Sequence, residues 1–219
     1  MAESKAPGDK AFGEQLTAFY QERIRTFGPS YAAMWGEAAD WKTAERFRPV
    51  TMLPIAQGDV VVDIGCGIGD LALFCRDRGL SIDYIGIECV PEFAAAARER
   101  TGCPIVEIDA FAESQKLPEA DWYFTFGTLN KEWCVAPLAG TTSVQSIEAY
   151  LELLYGKARK GIGCSLVTDQ VEYRKEGVAN VDPATIVALA RRMTPHYLIF
   201  HGYPFYEFFA GFWRGTRGK

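Results

Sequence analysis

Histidine and paired cysteine are scarce in this chain of 219 residues. Its only histidines are His196 and His201, and none of its six cysteines forms a C-x-x-C pair. Because structural metal sites draw on clustered cysteine and histidine ligands, the sequence predicts no metal site. The first ten residues are polar and show no signal-peptide pattern, so we expect the cysteines to stay reduced and mostly buried.

A net positive charge and long apolar runs are also missing. The net charge of −5 argues against a nucleic-acid partner, because binding to phosphate backbones needs a basic face. No apolar run reaches membrane-spanning length, and Pro204 and Glu207 interrupt the aromatic stretch near the carboxyl terminus. With 48% hydrophobic residues, the composition is that of a globular domain. We therefore expect a cytoplasmic protein that binds neither membrane nor nucleic acid.

The most informative stretch is VVVDIGCGIGD, residues 60–70. Three valines predict a buried parallel strand that ends at Asp63. Glycines at 65, 67 and 69 allow a sharp turn and a close approach of the backbone to a ligand. The apolar residues after Asp70 predict a helix that packs back on the sheet. The pattern therefore predicts a small-molecule site at the carboxyl end of this strand.

The acids in this stretch indicate which small molecule binds. The dinucleotide fingerprint G-x-G-x-x-G has its third glycine one residue later, and Asp70 replaces it here. Two carboxylates, Asp63 and Asp70, would repel a pyrophosphate but suit a ligand that carries an ammonium and a sulfonium. The stretch resembles motif I of the class I S-adenosylmethionine-dependent methyltransferases. That resemblance implies S-adenosylmethionine as the cofactor, with S-adenosylhomocysteine as the product.

Three later strand ends carry the residue types that this family uses. Glu88 ends a second strand near the offset at which an acid meets ribose hydroxyls, although a solvated acid is the alternative. A third strand is predicted to end at Asp109, which by the resemblance receives the adenine amino group. A fourth strand, Trp122 to Phe126, opens at Gly127, where the family contacts the methionine end. The predicted cofactor residues are Asp63, Gly65, Cys66, Gly67, Glu88, Cys89, Asp109, Ala110, Phe126 and Gly127. For Cys66 we expect packing rather than nucleophilic catalysis, since no base is placed for it.

Strands alternate with helices along the chain until a terminal hairpin. A fifth strand is predicted at residues 161–168, a helix at 183–193, and two final strands at 197–201 and 206–213. This alternation predicts a parallel α/β sheet, and the resemblance implies a Rossmann-like three-layer sandwich. Its sheet would have seven mostly parallel strands and a C-terminal antiparallel hairpin. We predict a disordered segment at residues 1–10, N-terminal helices covering the active site at 11–54, and the methyltransferase domain at 55–219.

The acceptor side is less well defined by sequence. The candidate catalytic residues are Asn130, His201, Tyr203 and Glu207; the candidate substrate-binding residues are Tyr20, Tyr31, Trp35, Trp133, Asp169 and Tyr206. Glu207 lies among aromatic residues, so it needs a partner, and a salt bridge with an arginine such as Arg46 competes with a catalytic role. His201 has a pKa suited to proton transfer, whereas His196 is expected to be structural.

The predicted activity is methyl transfer to a small-molecule acceptor at an oxygen, nitrogen or sulfur atom, by in-line displacement. Methylation of a protein side chain remains open, as does cofactor binding without turnover. A nicotinamide oxidoreductase is disfavoured by Asp63 and Asp70. The sequence does not carry the N-P-P-[YF] form of motif IV, which lowers the expectation of a nucleic-acid base as acceptor. Oligomeric state is not predicted.

Overall fold

The computed structural model describes residues 9–36, 40–132, 142–203 and 206–215. Within these residues one sheet lies between two layers of helices, and three further helices precede the sheet. The strands are β1 (Val60–Ile64), β2 (Asp83–Ile87), β3 (Ile105–Val106), β4 (Trp122–Thr125), β5 (Gly161–Thr168), β6 (Asn180–Val181), β7 (His196–Phe200) and β8 (Glu207–Trp213). The α-helices are α1 (Asp9–Phe27), α2 (Tyr31–Trp35), α3 (Asp40–Phe47), α4 (Asp70–Asp77), α5 (Pro91–Thr101), α6 (Ser143–Lys157) and α7 (Pro183–Met193).

The strands lie in the order β3-β2-β1-β4-β5-β8-β7, with β6 beside β5. All pairs among β1 to β6 are parallel, and β8 is antiparallel to both β5 and β7. Parallel neighbours need a crossover connection, and α4, α5 and α6 supply it for the pairs β1–β2, β2–β3 and β4–β5. The predicted mostly parallel, Rossmann-like sheet with an antiparallel C-terminal hairpin is therefore confirmed, and the structure adds the two-residue strand β6.

Both faces of the sheet are buried, as is usual for parallel sheets. On one face, Tyr123 and Phe208 pack beneath α6 and α7. On the other face, Trp122 and Phe124 pack with Phe47 of α3 and the apolar side of α4. Because successive side chains of a strand point to opposite faces, the aromatic residues of β4 serve both cores. This arrangement leaves the carboxyl edge of the parallel strands as the place for a ligand.

The N-terminal helices pack onto the loops at that edge. Ala33 of α2 is fully buried against Ile68 and Val90, which follow β1 and β2. Arg23 of α1 donates hydrogen bonds to the carbonyls of Ala33 and Ala32. Since the last carbonyl groups of a helix have no partner within it, Arg23 fastens α2 to α1.

Two elements have the predicted bounds, β4, β7 and β8 differ from them by one residue, and the third strand differs more. Strand β5 and helix α7 have the predicted bounds. The third strand was predicted to continue to Asp109, but it pairs only at Ile105–Val106, because Asp109 begins a turn that its own side chain stabilises. Helix α1 begins at Asp9; residues 1–8 lie outside the described residues, and disorder there stays a prediction. Within the described part of the chain, no helix is both long enough and apolar enough to cross a membrane.

Candidate functional site

The glycine turn between β1 and α4 has the left-handed backbone that its glycines allow. The φ angles are +69° at Gly65, +55° at Gly67 and +81° at Gly69, a region that other residues rarely adopt. The amides of Gly65 and Cys66 both donate to the carbonyl of Ile87, at 2.8 and 3.0 Å. The turn is thus fixed to the end of β2, so the ends of the two strands form one continuous surface.

Glu88 joins the two loops through its carboxylate. Its Oε2 accepts a hydrogen bond from the amide of Gly67 at 2.9 Å, and its Oε1 accepts from Cys89 and Val90, each at 2.9 Å. Burial raises the pKa of the Glu88 carboxyl to about 7, even though these amides favour the charged form. Glu88 also lines the cavity, so its fixed carboxylate lies where a ligand could contact it.

Asp63 lies beneath the turn and outside the cavity lining. Its Oδ2 accepts a hydrogen bond from the hydroxyl of Tyr84 at 2.7 Å. Burial raises the pKa of Asp63 to about 7, Tyr84 opposes that rise, and the nearby charges of Glu88 and Asp70 add to it. Asp70 forms an ion pair with Arg100 at 2.8 Å and does not line the cavity. The charge at the glycine turn therefore comes from Asp63 and Glu88.

Cys66 is buried within the turn. Burial raises the pKa of its thiol well above the ordinary value, and the charges of Glu88 and Asp63 act in the same direction. A thiolate is therefore unfavourable at this position. The expectation that Cys66 packs rather than reacts agrees with this environment.

Asp109 starts a tight turn after β3. Its Oδ1 accepts hydrogen bonds from the amides of Phe111 and Ala112, at 2.9 and 3.1 Å. The hydroxyl of Tyr150 donates to the carbonyl of Ala110 at 3.1 Å, which holds the turn against α6. Asp109, Ala110 and Phe111 all line the cavity, so this turn forms one of its walls.

The loop after β4 forms the opposite wall. Gly127 has a φ of +75°, and its amide donates to Oγ of Ser165 on β5 at 3.0 Å. Thr128 donates from its hydroxyl to the carbonyl of Ile64 at 3.1 Å. A Cβ at Gly65 would lie 2.4 Å from Oγ1 of Thr128. The loops after β1 and β4 are therefore in direct contact.

These loops and the N-terminal helices enclose one cavity. Eight of the ten predicted cofactor residues line it, and Asp63 and Cys66 lie behind them. The cavity is predominantly apolar, and Glu88 and Asp109 are the carboxylates of its lining. Its lining consists of Leu16, Tyr20, Met34, Trp35, Ile64, Gly65, Gly67, Ile87, Glu88, Cys89, Phe93, Ile108, Asp109, Ala110, Phe111, Phe126, Gly127 and Thr128.

Helix α2 lies directly over two of the loop glycines. A Cβ at Gly67 would be 2.1 Å from the sulfur of Met34, and one at Gly127 would be 2.0 Å from the ring of Trp35. Real Cβ atoms essentially never approach so closely, so side chains of α2 occupy the space that glycine leaves open. Together with Leu16 of α1, they place the N-terminal helices in the wall of the cavity.

The four candidate catalytic residues lie apart from the cavity lining. Glu207 forms a buried ion pair with Arg46 at 2.5 Å, the alternative that the sequence left open. Tyr203 donates from its hydroxyl to the backbone carbonyl of Arg46 at 2.7 Å. Asn130 is buried just beyond the loop after β4, and its Oδ1 has no hydrogen-bond partner among the described residues. His201 is exposed and packs edge-on against Phe208.

The candidate substrate-binding residues divide into two groups. Tyr20 and Trp35 line the cavity, and Tyr31 lies beside Trp35 with ring centroids 6.3 Å apart. Asp169 is half-buried at the end of β5, and Tyr206 is largely exposed; neither lines the cavity. Trp133 lies outside the described residues. The structure thus brings the N-terminal candidates, not the C-terminal ones, to the cavity.

Sequence reasoning missed several residues that line the cavity. Met34 lies on the predicted helix between Tyr31 and Trp35, and Thr128 directly follows Gly127, so proximity in sequence was the available signal. Phe93, Ile108 and Leu16 looked like ordinary core residues, and no sequence pattern separates a core side chain from a cavity wall. Among the described residues, no three histidine, cysteine or acidic side chains form a group that could hold a metal ion.

Sequence comparisons give relatives with methyltransferase names. No protein-family profile matches the chain. The chain is 29% identical over 156 residues to a Mycobacterium tuberculosis protein named as a methyltransferase, covering 67% of this chain and 87% of the relative. It is also 29% identical over 102 residues to a Marinomonas malonyl-acyl-carrier-protein O-methyltransferase, covering 46% of this chain and 38% of that protein.

Solved structures share the fold. The phosphoethanolamine N-methyltransferase 1 of Haemonchus contortus, solved with phosphoethanolamine and S-adenosylhomocysteine, aligns with a TM-score of 0.68 and 13% identity. The alignment covers 97% of this chain and 51% of that one, so this chain spans about half of that protein. At this identity the likeness shows the fold alone. Together, the curated relatives and the shared fold support a class I S-adenosylmethionine-dependent methyltransferase with S-adenosylmethionine as its cofactor.

Proposed function

We propose that the chain transfers a methyl group from S-adenosylmethionine to a small-molecule acceptor at this cavity. The observation that supports the proposal most is the convergence of four strand ends. Glu88, Asp109 and the backbone of Gly65, Gly67 and Gly127 come from separate parts of the sequence and line the same cavity. Each is the residue type that the family resemblance requires at its strand end.

The carboxylates of the cavity are proposed to hold the adenosine half. Glu88 is held in place by its amide hydrogen bonds and would accept a hydrogen bond from a ribose hydroxyl. Asp109 engages the protein through Oδ1, which leaves Oδ2 to accept the adenine amino group. Ile87, Phe93 and the other apolar residues near Glu88 and Asp109 would bury the faces of the adenine ring.

The loop after β4 is proposed to hold the methionine half. S-adenosylmethionine supplies an activated methyl on a sulfonium, a good leaving group. The protein therefore needs mainly to orient donor and acceptor and to exclude water. Trp35 and Phe126 provide apolar walls at this end, while Gly127 brings the backbone close. Asp63 and Glu88 supply negative charge that balances a cationic ligand.

A small acceptor is supported over a protein side chain. Leu16, Tyr20, Met34 and Trp35 cover the cavity from the N-terminal helices, whereas a protein acceptor would need a shallow, open mouth. The proposal keeps residues 11–54 as the cover of the site. Tyr20, Tyr31 and Trp35 would then contact the acceptor or the methyl group directly.

Calorimetric titration tests the proposal first. We expect S-adenosylmethionine and S-adenosylhomocysteine to bind with a stoichiometry of one, and NADH to show no binding. Incubation of the protein and a metabolite extract with methyl-labelled S-adenosylmethionine should then transfer label to a small molecule. Absence of binding at millimolar cofactor would refute the site, and binding without label transfer would favour a protein that binds cofactor without turnover.

A further inference from the structure

A buried chain of contacts connects the cavity wall to the C-terminal hairpin. Trp35 packs on Gly127 at the cavity, and the guanidinium carbon of Arg46 lies 3.6 Å from the centre of the Trp35 rings. Arg46 in turn forms its ion pair with Glu207 at the start of β8. The indole ring is therefore held between a loop glycine and a cation.

Glu207, the last residue of this chain of contacts, lies on the same face of the sheet as Phe209. Glu207 pairs in register with Val167, and Phe209 pairs with Ser165, the residue whose hydroxyl holds the Gly127 amide. Glu207 and the loop that contains Gly127 are thus both attached to β5. This geometry leaves little freedom for Trp35 relative to Gly127.

The ion pair between Arg46 and Glu207 also balances two buried charges. Burial opposes the charge on Arg46, yet Glu207 beside it raises the pKa of the guanidinium above its ordinary value. The side chains of Arg46 and Glu207 are only 5% and 11% exposed, so their charges are weakly screened by water. Since a buried ion pair is often no more stabilising than an apolar replacement, stability alone gives no reason for its presence.

We propose that Arg46 and Glu207 are positioning residues for the methionine end of the cofactor. Arg46 holds the Trp35 ring against Gly127. Glu207 neutralises the charge of Arg46, so that Arg46 does not repel a sulfonium bound on the cavity side of the Trp35 ring. This inference rests on the proposed function, because it assumes that the methionine end of S-adenosylmethionine lies at Gly127. It replaces the catalytic role predicted for Glu207 with one exerted through Trp35.

Two variants should change the relative affinity for S-adenosylmethionine and S-adenosylhomocysteine in opposite directions. Glu207→Gln keeps a hydrogen-bond acceptor but removes the negative charge beside Arg46, so the cationic S-adenosylmethionine should lose about tenfold in affinity relative to the neutral thioether S-adenosylhomocysteine. Arg46→Met leaves Glu207 as an unbalanced anion, so the same affinity ratio should rise. A loss of packing alone would weaken both ligands together and would not change the ratio in opposite directions.

The measurement is calorimetric titration of both ligands and of adenosine into each variant. Adenosine lacks the methionine half, so its affinity should stay within about twofold of wild type. Glu148→Gln is the matched control, because Glu148 pairs with Arg192 on the surface between α6 and α7. It should leave all three affinities unchanged.

The outcomes separate this inference from the proposed function. If wild-type protein binds neither S-adenosylmethionine nor adenosine, the proposed function fails. If it binds both, and the affinity ratio is unchanged or shifts in the same direction in Glu207→Gln and Arg46→Met, the positioning role is overturned. Arg46→Lys provides a variant with the charge retained, in case Arg46→Met does not fold. It should weaken both cofactor forms through loss of the flat stack on Trp35 while keeping their ratio, and a changed ratio would contradict the proposal.

Discussion

Two acidic residues at the glycine turn, Asp63 and Glu88, have pKa values near neutral pH. Burial raises the pKa values of Asp63 and Glu88 to about 7, so we expect both carboxyls to titrate near neutral pH when no ligand is bound. A cationic ligand favours their ionised forms, and ligand binding should release protons to solvent. Tyr84, Asp70 and Cys66 face the same carboxylates from β2, α4 and the turn, and they set the background against which the two acids ionise.

Affinity for S-adenosylmethionine should therefore rise as the pH increases from 6 to 8. Below about pH 7 the acids must lose a proton before they can balance the cation; above it they are already charged. Titrations at pH 6, 7 and 8 measure the slope. Glu88→Gln should flatten the slope and weaken binding by about tenfold, through the lost charge-assisted hydrogen bond. A wild-type affinity independent of pH would contradict the assignment.

Gly127 permits a second prediction at the scale of one residue. Gly127→Ala should lower the free energy of unfolding by about 2 kcal/mol or more, because alanine is strained at positive φ and its Cβ would collide with Trp35. Urea denaturation of Gly127→Ala, Trp35→Ala and the double variant measures the coupling. In the double variant the collision is absent, so the two losses should sum to more than the observed loss. Strict additivity would mean that Trp35 does not press on Gly127.

Among the elements, α2 depends most on its neighbours. With only five residues it is too short to be stable alone, and Arg23 of α1 donates hydrogen bonds to the carbonyls of Ala32 and Ala33. Arg23 also lies over the rings of Phe19 and Phe27 on its own helix. The helix that carries Met34 and Trp35 is thus held by contacts from outside its own sequence.

Arg23→Met should loosen α2 without unfolding the sheet. The amides of Met34 and Gly36, which bond to Ser30 and Ala32, should exchange with solvent about tenfold faster. Affinity for S-adenosylmethionine should fall several-fold, while the midpoint of thermal unfolding changes little. Arg25→Met, at an exposed position two residues away, is the control and should change none of these. Unchanged exchange in Arg23→Met would show that α2 is held by packing alone.

At the scale of the whole molecule, the buried acids shape the dependence of stability on pH. Because the folded pKa values of Asp63 and Glu88 exceed those of the unfolded chain, the folded state binds more protons between about pH 4.5 and 7. The free energy of unfolding should therefore fall as the pH rises through this range. Asp121 acts in the other direction: its hydrogen bond to Arg159 lowers its pKa, so its stabilisation is lost in acid.

Stability of the ligand-free protein should accordingly be higher near pH 5.5 than at pH 7.5. The expected slope is about 1 kcal/mol per pH unit for each buried acid that titrates. Chemical denaturation at pH 5.5, 6.5 and 7.5 measures it, and Asp63→Asn should reduce the slope by removing one of the two groups. A stability that increases with pH over this range would contradict the raised pKa values.

The sheet could be predicted because its signals are local. Apolar runs such as Val60 to Val62, bounded by glycine turns, mark strands directly, and their alternation with helices defines a parallel sheet. The cofactor side followed from spacing along the chain, as with Glu88 and Asp109. These residues lie at the carboxyl ends of parallel strands. All such ends meet at one edge of the sheet, so the positions of the residues in the sequence are enough to bring them together.

The acceptor side could not be predicted in the same way. Arg46 meets Glu207 across 161 residues, a salt bridge that the sequence offered only as an alternative to catalysis. Trp35 meets Gly127 through a helix that Arg23 holds, and no sequence pattern indicated that contact. Such contacts depend on how helices pack, which hydrophobic periodicity does not specify. Tyr206, expected near substrate because of its neighbours, is instead largely exposed. Its proposed role and those of Asn130, His201 and Asp169 stay predictions.

The separation between Arg46 and Glu207 also bears on how the protein folds as it is synthesised. Helix α3 leaves the ribosome long before β8, so Arg46 must wait for 161 further residues before its charge has a partner. During that interval the N-terminal helices have no finished surface on which to dock, because contacts of high sequence separation form late. The contact that holds Arg46 beside Trp35 would thus be completed only after β8 has been made.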